Sequence, residues 1–328
     1  MSTEWIVYNP GDEYPNYDGL EISSHNGVGP IYYFKNVKIE QNQNKNFTNL
    51  SGKWMIVGNG YFYGHYLQET IGPLLYYKKN IDKNLKILWV DQELVPNPHG
   101  HNLENASKEA RNMLFSEGDI LMSGSEFLNS NFIIEDFITF FNNIRFIPSL
   151  VEIIKNYKFK GLTQHNNTEI NKLLRSFYGG SMKDDPSLPK KLFLSRKRRS
   201  MLIEQFGTGE DPLRYAPDWY HNAIEDYFRS IGYEIIEFSG IEVSMQAKYL
   251  YNADHVAGIH GTAFLNGIFC KPGTSFVSIL SEPKYLYKHE LDAKSVIDVN
   301  FNFVELYDRI GYQDTYDKLV ESMALWIL

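Results

Sequence analysis

His255-Val256-Ala257-Gly258-Ile259-His260-Gly261-Thr262-Ala263-Phe264-Leu265-Asn266 decides the fold of this 328-residue chain. A short apolar run passes into a glycine turn and then into an apolar stretch of helical length, the pattern of strand, tight turn and helix. Glycines at 258 and 261 allow the backbone to come close to a ligand. The helix N-terminus beyond them offers unpaired N–H groups and a partial positive charge to an anion, and His260 adds a donor. A plain βα turn with Thr262 as helix cap explains the same residues. On this segment alone both readings stand.

Working outward, the second half of the chain alternates regularly. Helices are expected over 169–177, 219–231, 244–251 and 262–269, and strands over 191–194, 234–238, 255–258 and 275–280. Strands separated by helices of about ten residues imply βαβ crossovers and a doubly wound parallel sheet, whose ligands bind at the carboxyl ends of the strands. One such end is Leu192-Phe193-Leu194-Ser195-Arg196-Lys197-Arg198-Arg199, a hydroxyl and a cation cluster. Arginine's fork suits diphosphate oxygens; a solvated basic turn is the alternative. The exit of the 275–280 strand brings Glu282 to the same edge of the sheet. The tail from Phe303 to Leu328 reads as helical, with apolar residues at Leu306, Ile310, Leu319, Met323 and Leu325.

The first half is α/β as well. Strands are expected over 31–34, 53–57, 85–90, 119–122 and 132–140, and helices over 63–79, 106–115 and 148–157, the first kinked at Gly72-Pro73. The polar stretch Thr163-Gln164-His165-Asn166-Asn167 marks a domain join near 165. The expected organisation is an N-terminal lobe over 1–165, a second lobe over 166–305 and a helical tail over 306–328. In the first lobe, His65 and Glu69 lie four apart and share a helix face. A histidine oriented by a carboxylate can take a proton from a hydroxyl, and a purely structural pair has the same spacing.

Composition narrows the classes. A formal net charge of −8 argues against nucleic-acid binding, which needs a basic surface. The single cysteine, Cys270, excludes an intramolecular disulfide and a cysteine zinc cluster. His99 and His101 have no evident third ligand, and no Asp-x-Asp element follows a strand, so no metal cofactor is expected. No apolar run is long enough for an integral membrane segment, and the N-terminus lacks a signal peptide, so a cytoplasmic protein, microbial or viral and at most peripheral to a membrane, is expected. Ser195 does not sit in a Gly-x-Ser-x-Gly elbow, which argues against a serine hydrolase.

Three segments, in order, resemble glycosyltransferase family 61. They are Tyr63-Gly64-His65-Tyr66-Leu67-Gln68-Glu69; Lys191 to Arg199 followed by Asn222 and Glu225; and Ala253-Asp254 through Asn266, continued by Phe269-Cys270-Lys271-Pro272-Gly273-Thr274. The resemblance spans about Lys53 to Leu280. It implies a GT-B fold of two Rossmann-like lobes facing a cleft, and an inverting, metal-independent glycosyltransferase, hexosyl or pentosyl. The implied partners are a nucleotide-sugar donor, with UDP as the expected nucleotide, and a glycan or glycoconjugate acceptor. Donor binding is expected at Ser195, Arg196, Arg199, Gly258, His260, Gly261, Thr262, Asn266 and Glu282, with His65 and Glu69 as the catalytic pair. Two departures stand out. Thr262 takes the place of the usual alanine, and Ser278 stands where the family usually has a glutamate that is expected to hold the ribose, with Glu282 as a substitute. The alternative from another class is a non-catalytic nucleotide- or glycan-binding protein on the same fold.

Overall fold

A computed structural model of the chain describes residues 5–8, 31–39, 46–58, 66–80, 82–91, 104–140, 159–162, 167–196, 217–280, 293–306 and 311–324. It divides into two compact units. One contains residues 1–96 and 107–174, and the other residues 97–106 and 175–328. The division between them falls at 174/175, inside a helix, whereas the sequence suggests a join near 165. The 311–324 helix belongs to the second unit.

The first unit is built on a mixed seven-stranded sheet. Its strands are β1 (Trp5–Tyr8), β2 (Ile31–Ile39), β3 (Thr48–Gly58), β4 (Lys86–Asp91), β5 (Ile120–Ser123), β6 (Phe132–Phe140) and β7 (Phe159–Leu162), in the order β1-β7-β2-β6-β3-β4-β5. β6, β3, β4 and β5 run parallel to their neighbours in that series, and the β1, β7 and β2 side is antiparallel. The continuous buried runs Trp54 to Val57 and Ile87 to Val90 follow from this, because a central parallel strand is covered on both faces. β1 and β7 are too short to display a periodic pattern, and the sequence does not announce them.

The segment expected as one kinked helix is two elements. A π-helical turn, Tyr66–Ile71, passes directly into α1, Gly72–Asn80. Tyr66, Leu67, Ile71 and Leu74 are all buried, which accounts for the three-to-four spacing in the sequence. Pro73 lies at the junction of the two elements, where its missing N–H interrupts the run of helical hydrogen bonds. Gly72 is required by packing. A Cβ there would overlap the Cγ2 methyl of Ile170 and come within 3.1 Å of the Leu67 carbonyl oxygen. The unit also contains α2 (Glu104–Leu114) from Ser107 onward, its first three residues falling in the second unit, and α3 (Gly124–Leu128), whose capping box joins Ser123 and Glu126 reciprocally. The helix expected over 148–157 and residues 63–65 lie outside the described residues.

α4 (Asn167–Phe177) leads into the second unit, a five-stranded sheet of β8 (Lys191–Leu194), β9 (Glu234–Ile236), β10 (His255–Ile259), β11 (Ser275–Leu280) and β12 (Asn300–Glu305). The order is β12-β11-β10-β8-β9 and every pairing is parallel. This is a Rossmann-like α/β arrangement. α5 (Asp218–Ser230) and α7 (Tyr312–Ala324) cover one face, where Tyr220, Ile224, Phe228, Leu319 and Met323 meet Phe193, Ala257, Ile259, Val277 and Ile279. The opposite face carries α6 (Val243–Asn252) and the helix that follows β10, with Phe264 against Phe276 at 5.9 Å between ring centroids.

Two expectations are corrected here. The tail is not helical from Phe303, since Phe301 and Phe303 lie in β12, in register with Phe276 and Ser278 of β11. The alternation Asn300-Phe301-Asn302-Phe303 is a period-two strand signal, and the helix begins only at Tyr312. Residues Thr262–Phe269 are helical but of the 3₁₀ type, with Phe264 N–H bonded to the Gly261 carbonyl at 2.9 Å. The tighter winding belongs to a short, mostly apolar connection packed directly on the sheet. Phe264, Leu265, Ile268 and Phe269 are all completely buried.

Candidate functional site

In the second unit the strand order turns round between β8 and β10. The helix after β8 leads outward to β9, and the later crossovers build in the other direction through β11 and β12. A crevice opens at the carboxyl edge at such a point, because the connections leaving the two strands diverge to opposite faces. The residues at this edge are Ser195 and Arg196 beyond β8, and His260 and Gly261 beyond β10. The two basic and glycine-rich segments, 64 residues apart in sequence at Arg196 and His260, therefore come together.

They are in contact. Nη1 of Arg196 donates to the carbonyl oxygen of His260. Gly261 has a positive φ of 157° with ψ −172°, a backbone that residues with a Cβ rarely adopt. A Cβ there would lie 2.8 Å from Cζ of the Arg196 guanidinium, so glycine makes room for the cation at the crevice. Gly258 has a different reason. It pairs with Leu194 in β8, and a Cβ would come within 3.1 Å of that residue's carbonyl oxygen and 3.3 Å of its Cβ. One glycine admits a charged group and the other admits a neighbouring strand.

The backbone amides of the turn differ in their bonding. His260 N–H donates to the Ile279 carbonyl at 2.8 Å, which prolongs the β10–β11 ladder and commits that amide to the sheet. Within the 3₁₀ helix the first amide bonded internally is that of Phe264, so those of Thr262 and Ala263 precede the helix's own acceptors. His260 is half-buried and Arg196 is also partly covered.

Ser195 is tied into the fold at two points. Its N–H donates to the Ile236 carbonyl at 2.8 Å and its hydroxyl to Oε1 of Glu225, in α5, at 2.6 Å. Glu225 is 8% exposed in the buried stripe of α5, with His221 one turn before it and Tyr220, Ala223, Ile224, Tyr227 and Phe228 beside it. The resemblance pointed to Glu225 without a role; a carboxylate in the apolar stripe of an amphipathic helix is the sequence signal that marks it. Asn266 is buried, and its amide nitrogen donates to Gln246 Oε1 at 2.9 Å. Gln246 in turn donates to the Ile241 carbonyl at 2.8 Å, joining the helix after β10 to the loop that follows β9. Nothing in the sequence singled out Gln246. Ser278 is fully buried in β11, paired with Gly258 and Phe303, two residues before the strand ends.

Arg199 and Glu282 lie outside the described residues, as does His65. The backbone of Glu69 is described and lies in the π-helical turn; the side chains of Glu69 and Thr262 are not. Wide turns of this kind occur often at functional sites. In the first unit, burial pushes the hydroxyl of Tyr66, beside His65 in sequence, far above the ordinary tyrosine range. At the carboxyl end of β4, Asp91 accepts from Arg111 at 2.6 Å and from Trp89 Nε1 at 3.1 Å. Among the described residues no three His, Cys, Asp or Glu side chains converge as a metal-binding group. No described helix is long and apolar enough to cross a membrane.

A doubly wound parallel sheet with a cation and a glycine turn meeting at its switch point defines a Rossmann-like α/β protein. Residues 63–277 match the family described as Glycosyltransferase 61. The match begins at the Tyr63-Gly64-His65 segment and ends within β11, so it takes in both units, and the chain belongs to glycosyltransferase family 61. It is accordingly a glycosyltransferase, with a sugar donor and an acceptor as its partners. No curated protein matches the chain.

Proposed function

We propose that the chain is an inverting, metal-independent glycosyltransferase of GT-B type that moves a hexosyl or pentosyl group from a nucleoside diphosphate, UDP in the first instance, to a hydroxyl of a glycan or glycoconjugate. The observation that carries this reading is the meeting of Arg196 with His260 and Gly261 at the switch point of a parallel sheet. When the bond from the anomeric carbon to the diphosphate breaks, negative charge grows on the leaving oxygens. A fixed guanidinium and backbone amides stabilise that charge without reorganising, which is the task a metal ion performs elsewhere. In this reading Arg196 and Arg199 neutralise the diphosphate, while His260 and the amides around Gly261 and Thr262 complete the anion site. Asn266 supports that turn from beneath, and Glu282 serves the ribose.

The acceptor hydroxyl loses its proton to His65, oriented by Glu69, as its oxygen attacks the anomeric carbon from the face opposite the diphosphate. Transfer assays with a panel of nucleotide sugars and glycan acceptors, in the presence and absence of a chelator, test the whole reading. His65→Ala and Glu69→Ala are each expected to lower kcat by about a hundredfold or more with little change in donor KM. Full turnover in both variants removes the pair from the mechanism. Loss of transfer on chelation, restored by a divalent cation, refutes metal independence.

A further inference from the structure

We infer that Glu225 is a positioning residue for the donor anion site: by holding the Ser195 hydroxyl it fixes the exit of β8, so that Arg196 is delivered to the exit of β10. This rests on the donor-site reading proposed above. Ser195 is anchored on two separate elements, through its N–H to Ile236 of β9 at 2.8 Å and through its hydroxyl to Glu225 of α5 at 2.6 Å. The next residue is Arg196, whose guanidinium donates to the His260 carbonyl and fills the space above Gly261. With no intervening residue, a displacement at Ser195 passes directly to the base of the Arg196 side chain.

Two features set this pair apart from ordinary packing. Glu225 is 8% exposed on a helix face shared with His221, itself 4% exposed one turn earlier, and with Tyr220, Ile224, Tyr227 and Phe228; a carboxylate there costs solvation free energy that an apolar residue would not. A serine hydroxyl has one proton, and this one goes to Glu225. Diphosphate oxygens are acceptors, so the Ser195 hydroxyl has no proton to offer them. Its effect on the diphosphate runs through Arg196.

The experiment uses the full chain with two probes, UDP and inorganic pyrophosphate, the second independent of the nucleoside. Binding is measured by calorimetry for the wild type, Ser195→Ala, Glu225→Ala, the double variant and Glu225→Gln, with melting curves recorded in parallel. Ser195→Ala and Glu225→Ala are each expected to weaken pyrophosphate binding about tenfold, the size of one hydrogen bond to a charged group. The double variant loses no more than either single, since both remove the same contact. Glu225→Gln keeps an acceptor for the hydroxyl and is expected to restore binding to within about twofold of wild type. If Glu225→Ala does not fold, Ser195→Ala against Glu225→Gln carries the same contrast. Wild-type binding left unchanged by Ser195→Ala, or losses that add in the double variant, overturns the positioning role alone. A wild-type protein that binds neither probe overturns the donor-site reading and this inference with it.

Discussion

Alanine at Gly261 and alanine at Gly258 are the same chemical change, three residues apart, with different expected consequences for ligand binding. At Gly261 the added methyl meets the guanidinium of Arg196, with Cζ at 2.8 Å and Nη2 at 3.2 Å. That group is the far end of a flexible side chain and can swing aside, whereas the backbone at φ 157° and ψ −172° is one that residues with a Cβ rarely adopt. A stability loss of about 1–3 kcal/mol is expected from that strain. What is lost is the placement of the cation and its hydrogen bond to the His260 carbonyl. A hydrogen bond to a charged group contributes about 1.5–3 kcal/mol. At about 1.4 kcal/mol per factor of ten, pyrophosphate and UDP are expected to bind about ten- to a hundredfold more weakly.

At Gly258 the methyl meets the Leu194 carbonyl oxygen at 3.1 Å and Leu194 Cβ at 3.3 Å, at the last pair of the β8–β10 register. Neither can swing aside. Overpacking of about 1–3 kcal/mol is expected, expressed as lower stability. Binding per folded molecule is expected to fall less than in Gly261→Ala. Chemical denaturation and calorimetry on both variants give the comparison. The reasoning is refuted if folded Gly261→Ala keeps the wild-type affinity for both probes.

Three further outcomes follow from the packing. Gly72→Ala places a methyl on the Ile170 side chain and close to the Leu67 carbonyl, and a loss of about 1–3 kcal/mol in denaturation experiments is expected; unchanged stability contradicts the close packing of α1 on α4. Cys270 is completely buried and burial pushes its thiol well above the ordinary range, so a thiol reagent at pH 8 is expected to react with the native protein far more slowly than with the urea-unfolded chain. The salt bridge from Lys248, with hydrogen bonds from Ser187, holds Asp185 down at about 2, against 3.8 for a free carboxyl. Because the folded value is the lower one, its contribution is present above pH 4 and disappears as the pH falls towards 2. The stability advantage of wild type over Lys248→Met is thus expected at neutral pH and expected to shrink across that window; an advantage that grows on acidification contradicts the assignment.

The second unit was legible in the sequence because each of its elements carries a local signal. The strands 191–194 and 275–280 are short apolar runs bounded by polar and glycine turns, and both occur where the pattern puts them. The 219–231 and 244–251 helices show the three-to-four spacing and are each found within two residues of those bounds. The tail misleads because Leu306 and Ile310 continue a helical spacing beyond β12, whose period-two alternation covers only the four residues 300–303. The 3₁₀ winding of 262–269 was not legible at all. It depends on how closely Phe264 and Ile268 must approach the sheet, a tertiary demand with no local residue signature.

The candidate site divides in the same way. The sequence by itself determined which residues stand at strand exits, since the end of an apolar run is a local fact: Ser195 and Arg196 after one run, His260 and Gly261 after another. Their meeting was decided by the tertiary structure. The strand order β9-β8-β10 makes β8 and β10 neighbours although β9 lies between them in the chain. Only that adjacency sets the Arg196 guanidinium against the His260 carbonyl and requires a residue without a Cβ at Gly261. The partner of Ser195 was decided there too. The proton of its hydroxyl goes to a carboxylate thirty residues away because α5 folds back over β8, a pairing set by helix packing and invisible to any local pattern.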